Sequence, residues 1–183
     1  MRKIITLFAA LAIAACSATS QDARISVFPD VAPSSVGSGS KLSITVDDGR
    51  QSAVIGTYRD GAQITTSQDL AKTIGEALVD SFEKQGFNVV AAGDPSAMNI
   101  FVALQDLTFT YDGNVVSSSA TTTSRVRVDV INNSFNRTYT NSLERTIPFA
   151  ANQDTNNSQL SATLRAMVEK IVNDPELIDT LKR

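Results

Sequence analysis

Few side chains in this chain can do chemistry. The 183 residues include one cysteine, Cys16, and neither histidine nor tryptophan. Triads built on histidine and metal sites built on His and Cys are therefore excluded by composition, and carboxylate and hydroxyl chemistry is what is left. Asp47 and Asp48 are adjacent. Neighbours in a strand point to opposite faces, so these two cannot share a proton as a catalytic dyad does. With Gly49 and Arg50 they read as the polar turn of a hairpin. Asp106 falls where an alternating apolar run changes phase, the position from which a β-bulge can aim a side chain. Asp48, Arg50 and Asp106 are thus the candidates for a binding surface, and no residue is assigned a catalytic or metal-binding role. The run "SSSATTTS" at 117–124 reads as the wet face of a twisted strand, its hydroxyls bonding to each other and to water.

Cys16 has a different use. The segment "MRKIITLFAALAIAA" opens with Arg2 and Lys3, continues apolar for about a dozen residues and ends in small side chains, the pattern of a cleaved secretory signal. A membrane-spanning helix needs about twenty apolar residues, so a spanning segment is not expected here. Ile13, Ala14 and Ala15 ahead of Cys16 resemble the lipobox of bacterial lipoproteins, in which the cysteine is acylated. Two acyl chains already anchor a protein stably, and full processing of such a cysteine supplies three. By the same resemblance, Ser17 in place of aspartate directs sorting to the outer membrane, inner leaflet, facing the periplasm. The covalent lipid is the only cofactor expected.

The elements that would position the remaining residues follow from periodicity. Residues 16–40 read as the acylated cysteine and a flexible Ser/Gly/Pro-rich tether holding one short strand, "ISVF"; its first eight residues would reach about 25 Å extended. Residues 41–183 read as a single domain. Leu42, Ile44 and Val46 alternate with polar residues as a half-buried strand does, and "AVIGTYRDG" is expected to pair with it as a hairpin. Thr66, Ser67 and Asp69 open a helix, a hydroxyl cap with an acid in the first turn, and its Leu70, Ile74, Leu78 and Phe82 form one apolar face ending at Gly86. In "AMNIFVALQDLTFTYDGN", Ile100, Val102 and Leu104 have one parity and Leu107, Phe109 and Tyr111 the other, so a bulge near Gln105 and Asp106 would place both sets on one side. Turns at "YDGN" and "NNS" separate the next two strands. Leu160, Leu164, Met167, Val168 and Ile171 mark a second helix, and Asp174 and Pro175 start a last turn. The architecture expected is α+β, a mostly antiparallel sheet with two long amphipathic helices on one face as a two-layer sandwich.

The order of these elements, with "LSITVDDGRQSAVIG", "GFNVV", "NIFVALQDL" and the closing "LRAMVEKIVNDPELIDTLKR", resembles the YajG family of bacterial lipoproteins. The resemblance implies a small periplasm-facing lipoprotein of unassigned activity, and carries over no residue except the acylated Cys16. Without residues 1–15, 14 basic residues face 19 acidic ones, a net charge of about −5, with no basic cluster to bind nucleic acid. The function expected is a non-catalytic binding or assembly module of the cell envelope, held on the outer membrane and recognising a periplasmic protein or the cell wall. The alternative is a carrier or auxiliary subunit for lipid or another apolar ligand in envelope transport.

Overall fold

The structure, a computed structural model, describes residues 19–58, 61–113, 118–147 and 152–182. Cys16, Ser17 and the last residue of the "YDGN" turn lie outside the described residues. Among the described residues eight strands and three helices follow one another: β1 (Gln21–Asp22), β2 (Lys41–Asp48), β3 (Val54–Tyr58), β4 (Ala62–Thr65), α1 (Leu70–Lys84), β5 (Asn88–Val89), β6 (Met98–Gly113), β7 (Ser118–Val130), β8 (Asn136–Ile147), α2 (Gln153–Val172) and α3 (Pro175–Leu181).

The sheet is built on β6, whose 16 residues make it the longest strand. One side of β6 pairs antiparallel with β7, and β7 with β8. The other side holds two strands end to end: β2 runs parallel along Met98–Leu104 and β3 parallel along Phe109 and Thr110. Beyond β2 lies β5, and beyond β3 lie β4 and β1. The sheet is therefore mixed rather than mostly antiparallel. Alternation fixes which face a side chain takes but not which way the strand runs. β2 and β3 are separated from β6 by β4 and α1, and parallel neighbours need a long connection of that kind. The expected hairpin between β2 and "AVIGTYRDG" is also corrected. β3 pairs with β4, and residues 49–53 leave the sheet between the two parallel strands.

The bulge is where the change of parity places it: the β6–β7 register shifts between Leu104 and Asp106, so Ile100, Val102, Leu104, Leu107 and Phe109 all enter the core. The core lies between this face and the helices, with α1 over β2 and β5 and α2 over β7 and β8. The helical layer is three helices, not two long amphipathic ones. α1 fits its expected stripe, with Gly86 at φ +85° after its end, but its cap is Asp69, which accepts from the Lys72 amide at 2.9 Å, and not a hydroxyl of Thr66 or Ser67, because the helix starts only at Leu70. The buried face of α2 adds Asn156, Gln159 and Thr163 to the expected Leu160, Leu164, Met167, Val168 and Ile171. α3 is separate, with Asp174 as its cap and Pro175 in its first turn.

Residues 21–31, expected within the tether, pack into the fold. Ala23, Ile25, Val27 and Val31 are buried core residues, and the segment crosses the helices as an extended strap. The amides of Arg24, Ser26 and Asp30 donate to Asn157 Oδ1, Ser161 Oγ and Glu169 Oε1, at 3.1, 3.1 and 2.9 Å. Two extended residues advance about 6.6 Å and four helical residues about 6.0 Å, so each two-residue step along the strap meets the same face of α2 one turn further on. In the sequence only "ISVF" stood out here as a strand, and its partner, a helix more than 130 residues away, did not.

Candidate binding surface

The three candidate residues surround the place where β2 stops and β6 bulges. Asp48 sits beside Leu104 in the β2–β6 register, on the helix-facing side. Arg50 folds back onto it: Nε and Nη2 donate to the two carboxylate oxygens at 2.8 and 2.7 Å. These bonds, with the charge of the guanidinium, outweigh burial and hold the Asp48 carboxyl below the usual aspartate range. The Arg50 side chain is only 8% exposed, and its Nη1 has no partner among the described residues. Asp106 is displaced by the bulge to the open face, opposite Arg125 of β7. The structure thus joins Asp48 and Arg50 into one clamp and sets Asp106 on the other side of the sheet. Asp47 also faces the open side, and Asp129 is held by Arg127 and by Asn136 Nδ2 at 2.6 Å.

Beside the clamp, β2 has an unpaired edge. β5 pairs only with Lys41 and Leu42, and among the described residues no strand continues its line. The reason is local. After the Val90 amide bonds to the Leu42 carbonyl, the chain turns away through Gly93, at φ +91°, and a turn in which Asp94 Oδ1 accepts from the Ser96 amide and hydroxyl. The main-chain groups of residues 40 and 42 face β5. By alternation those of Ile44, Val46 and Asp48 face outward along the open edge. Between this edge and α1 lies a cleft of about 400 Å³, with Ile44 and Val46 on one wall and Ala71, Gly75 and Val79 on the other. Gly75 costs helix stability in mid-helix, and it keeps the cleft wide: an added Cβ would stand 3.5 Å from Val46 Cγ2. Asp69 and Lys72 line the same cleft.

A second polar cluster was not found from sequence. Asp174, capping α3, accepts from the Tyr139 hydroxyl at 2.6 Å and from Arg137, which also pairs with Glu176 and lies over the Phe135 ring. Burial would raise the Asp174 carboxyl, but the Tyr139 and Arg137 bonds and two amides prevail and lower it. Burial, then Asp174, push the Tyr139 phenol up. Arg137 and Tyr139 lie more than 30 residues before Asp174, so no local pattern announced the cluster. The "SSSATTTS" run also departs from expectation. Ser118, Ala120, Thr122 and Ser124 are buried under α2, where Gln159 Nε2 donates to the Ala120 carbonyl at 2.7 Å. The other parity, Ser119, Thr121 and Thr123, lies on the open face. No group of three or more His, Cys, Asp or Glu that could hold a metal occurs among the described residues. Nor, among them, is any helix long and apolar enough to cross a membrane.

Comparison with known proteins supports the fold. A Xanthomonas campestris protein of the DUF330 family is similar over 90% of this chain and 95% of its own, at 16% identity and a TM-score of 0.53. A candidate lipoprotein of Caulobacter crescentus matches over 80% of this chain and 94% of its own, at 14% identity and a TM-score of 0.44. No curated protein matches. The family model described as uncharacterized lipoprotein matches residues 29–182, from the strap to the end of α3, and the chain therefore belongs to that family, Lipoprotein_16, the YajG lipoproteins.

Proposed function

We propose that the protein is a non-catalytic binding or assembly module of the cell envelope, held through an acylated Cys16 on the inner leaflet of the outer membrane and facing the periplasm. The observation that carries this reading is how soon after Cys16 the fold begins. The Tyr58 hydroxyl donates to the Thr19 carbonyl at 2.7 Å, and Thr19 stands three positions after Cys16, a reach of about 10 Å. The end of the domain at Tyr58 is thereby held close to the lipid. β6 then carries the structure away from it: Ile100–Leu104, beside the open edge of β2, stand about 20 to 35 Å up the strand from the level of Tyr58. A short tether and a long rigid strand suit a domain that presents a surface at a set height.

The test has two arms. Cys16→Ser is expected to move the protein out of the membrane fraction while circular dichroism of the domain is unchanged; a variant that stays in the membrane would refute the anchor. In a complementation assay scored beside protein level, Asp→Asn changes at Asp47, Asp48, Asp106 and Asp129 are each expected to weaken function partially, because binding energy is spread over an interface. One abundant but inactive variant would indicate an enzyme instead, since loss of a catalytic acid costs orders of magnitude in rate. A lipid retained in the native mass spectrum would favour the carrier.

A further inference from the structure

We propose that the open edge of β2 is a strand-addition site, at which an extended segment of a periplasmic partner pairs with Ile44–Asp48, places two alternate apolar side chains in the cleft beside α1 and sets a basic side chain against Asp47. The inference rests on the reading of the protein as a binding module and names what it binds.

The main chain dictates an extended occupant. Outward-facing amides and carbonyls at residues 44, 46 and 48 stand open to solvent, and another strand is the occupant that pairs all of them in register. The position is already a strand position of this sheet, since β5 occupies its first two residues and then turns off. A partner strand would continue the line of β5. The side-chain pattern follows from the same register. Residues of the added strand opposite Ile44 and Val46 share their face and enter the cleft, whose far wall is Ala71, Gly75 and Val79. Residues opposite Thr45 and Asp47 lie on the open face. Asp47 is exposed there and makes no ion pair with another described residue, while Arg50 is already committed to Asp48. On the rim of the cleft Asp69 and Lys72 offset one another, which leaves Asp47 to set the charge. The charge at this end of the edge therefore favours a cationic residue in the partner. A second copy of this chain would have to offer its own edge. β8 is defended by its charges, and β2 meeting β2 would bring one α1 against the other.

A fluorescein-labelled peptide with the core Lys-Val-Thr-Val-Lys, flanked by threonines, satisfies this pattern in either strand direction. The full chain in detergent micelles is expected to bind it saturably, with shifts in the amide resonances of Ile44–Asp48. A peptide of the same composition with its valines adjacent should bind at least about tenfold more weakly. Val46→Pro removes an edge donor without touching the β6 ladder, and Gly75→Leu fills the cleft. Each should weaken binding by about tenfold or more, with thermal melting as the check on folding. If Val46→Pro does not fold, Gly75→Leu decides. Equal binding of the two peptides, or binding unchanged by Gly75→Leu, overturns the proposal.

A photocrosslinking residue placed in cells at Thr45, or at Thr138 on β8, separates this proposal from the broader reading. Capture of a partner at Thr45 that Gly75→Leu abolishes supports strand addition. Capture at Thr138 alone leaves the binding module standing and sinks the site. Capture of the chain's own copy at Thr45 overturns the heterologous partner, and no capture at either position, with no peptide binding, overturns both.

Discussion

The two long edges of the sheet differ. β8 runs 12 residues as an outer strand, and the molecule guards it. Lys170 of α2 lays its ammonium on the Thr140 carbonyl at 3.0 Å, and Arg137 and Tyr139 are tied to the cap of α3. Arg145 and Glu144 add charge along the same strand, the composition that discourages edge-to-edge pairing. β2 is short of cover from residue 43 onward, has no charge between Lys41 and Asp47, and borders an apolar cleft kept wide by a glycine. An edge left open in a molecule that protects its other edge is a place to look for a partner. The lesson concerns positioning: among the described residues no strand covers either edge, and what separates them is the side chains that the helices send down.

The contrast can be broken first at β8. Asp174→Ala removes the α3 cap and the acceptor shared by Arg137 and Tyr139, and is expected to lower stability by about 2–4 kcal/mol in urea or thermal unfolding. The loss of α3 packing should also make the variant aggregate through β8, which light scattering would detect. A change below about 0.5 kcal/mol would show that α3 does not depend on this cluster.

Acid should act on both edges, less strongly. The Asp174 and Asp48 carboxyls are depressed in the folded protein. Their contribution to stability is fully present above the ordinary aspartate range near pH 4 and is lost as the pH falls through the folded values. Unfolding free energies measured from pH 5 down to pH 2 should therefore fall, and Asp174→Asn should flatten that fall. An identical acid slope in the variant would remove Asp174 from the explanation.

Gly75→Ala sharpens the contrast from the β2 side. The new Cβ meets Val46 at an ordinary distance, so the helix should gain about 0.8 kcal/mol, read as a rise in melting temperature. A fall would mean that the cleft has no room for the methyl group. The smallest effect belongs to Lys170→Ala, about 0.5 kcal/mol or less for an exposed contact, but it uncovers the Thr140 carbonyl. Self-association that rises with concentration in sedimentation velocity is the outcome that would show β8 to be actively guarded.

Much of the fold was legible because its signals are local. Asp174 as a helix cap, the stripe of α1 and the bulge at Leu104–Asp106 each follow from residues within a few positions of one another. The left-handed turn at Asn132, φ 61°, fell within the expected "NNS" turn. Of the binding surface, sequence reasoning singled out Asp48, Arg50 and Asp106. It could not see that two of them form a clamp while the third crosses to the opposite face, because a bulge reassigns faces only once the neighbouring strand is known.

By itself the sequence determined the stripe and the end of α1, the start of α3, the parity of β2 and β6 and the acidic, histidine-free composition that narrows the chemistry. Tertiary structure alone decided the parallel course of β2 and β3 along β6, the docking of residues 21–31 across the helices, the burial of Thr122 and Ser124, and the edge left open. The physical reason is the range of the interactions. Caps, stripes and alternation are set by residues one helical turn or one strand step apart, whereas strand direction, edge cover and the Arg137–Asp174 contact join segments tens of residues apart, and their geometry exists only when the whole chain packs.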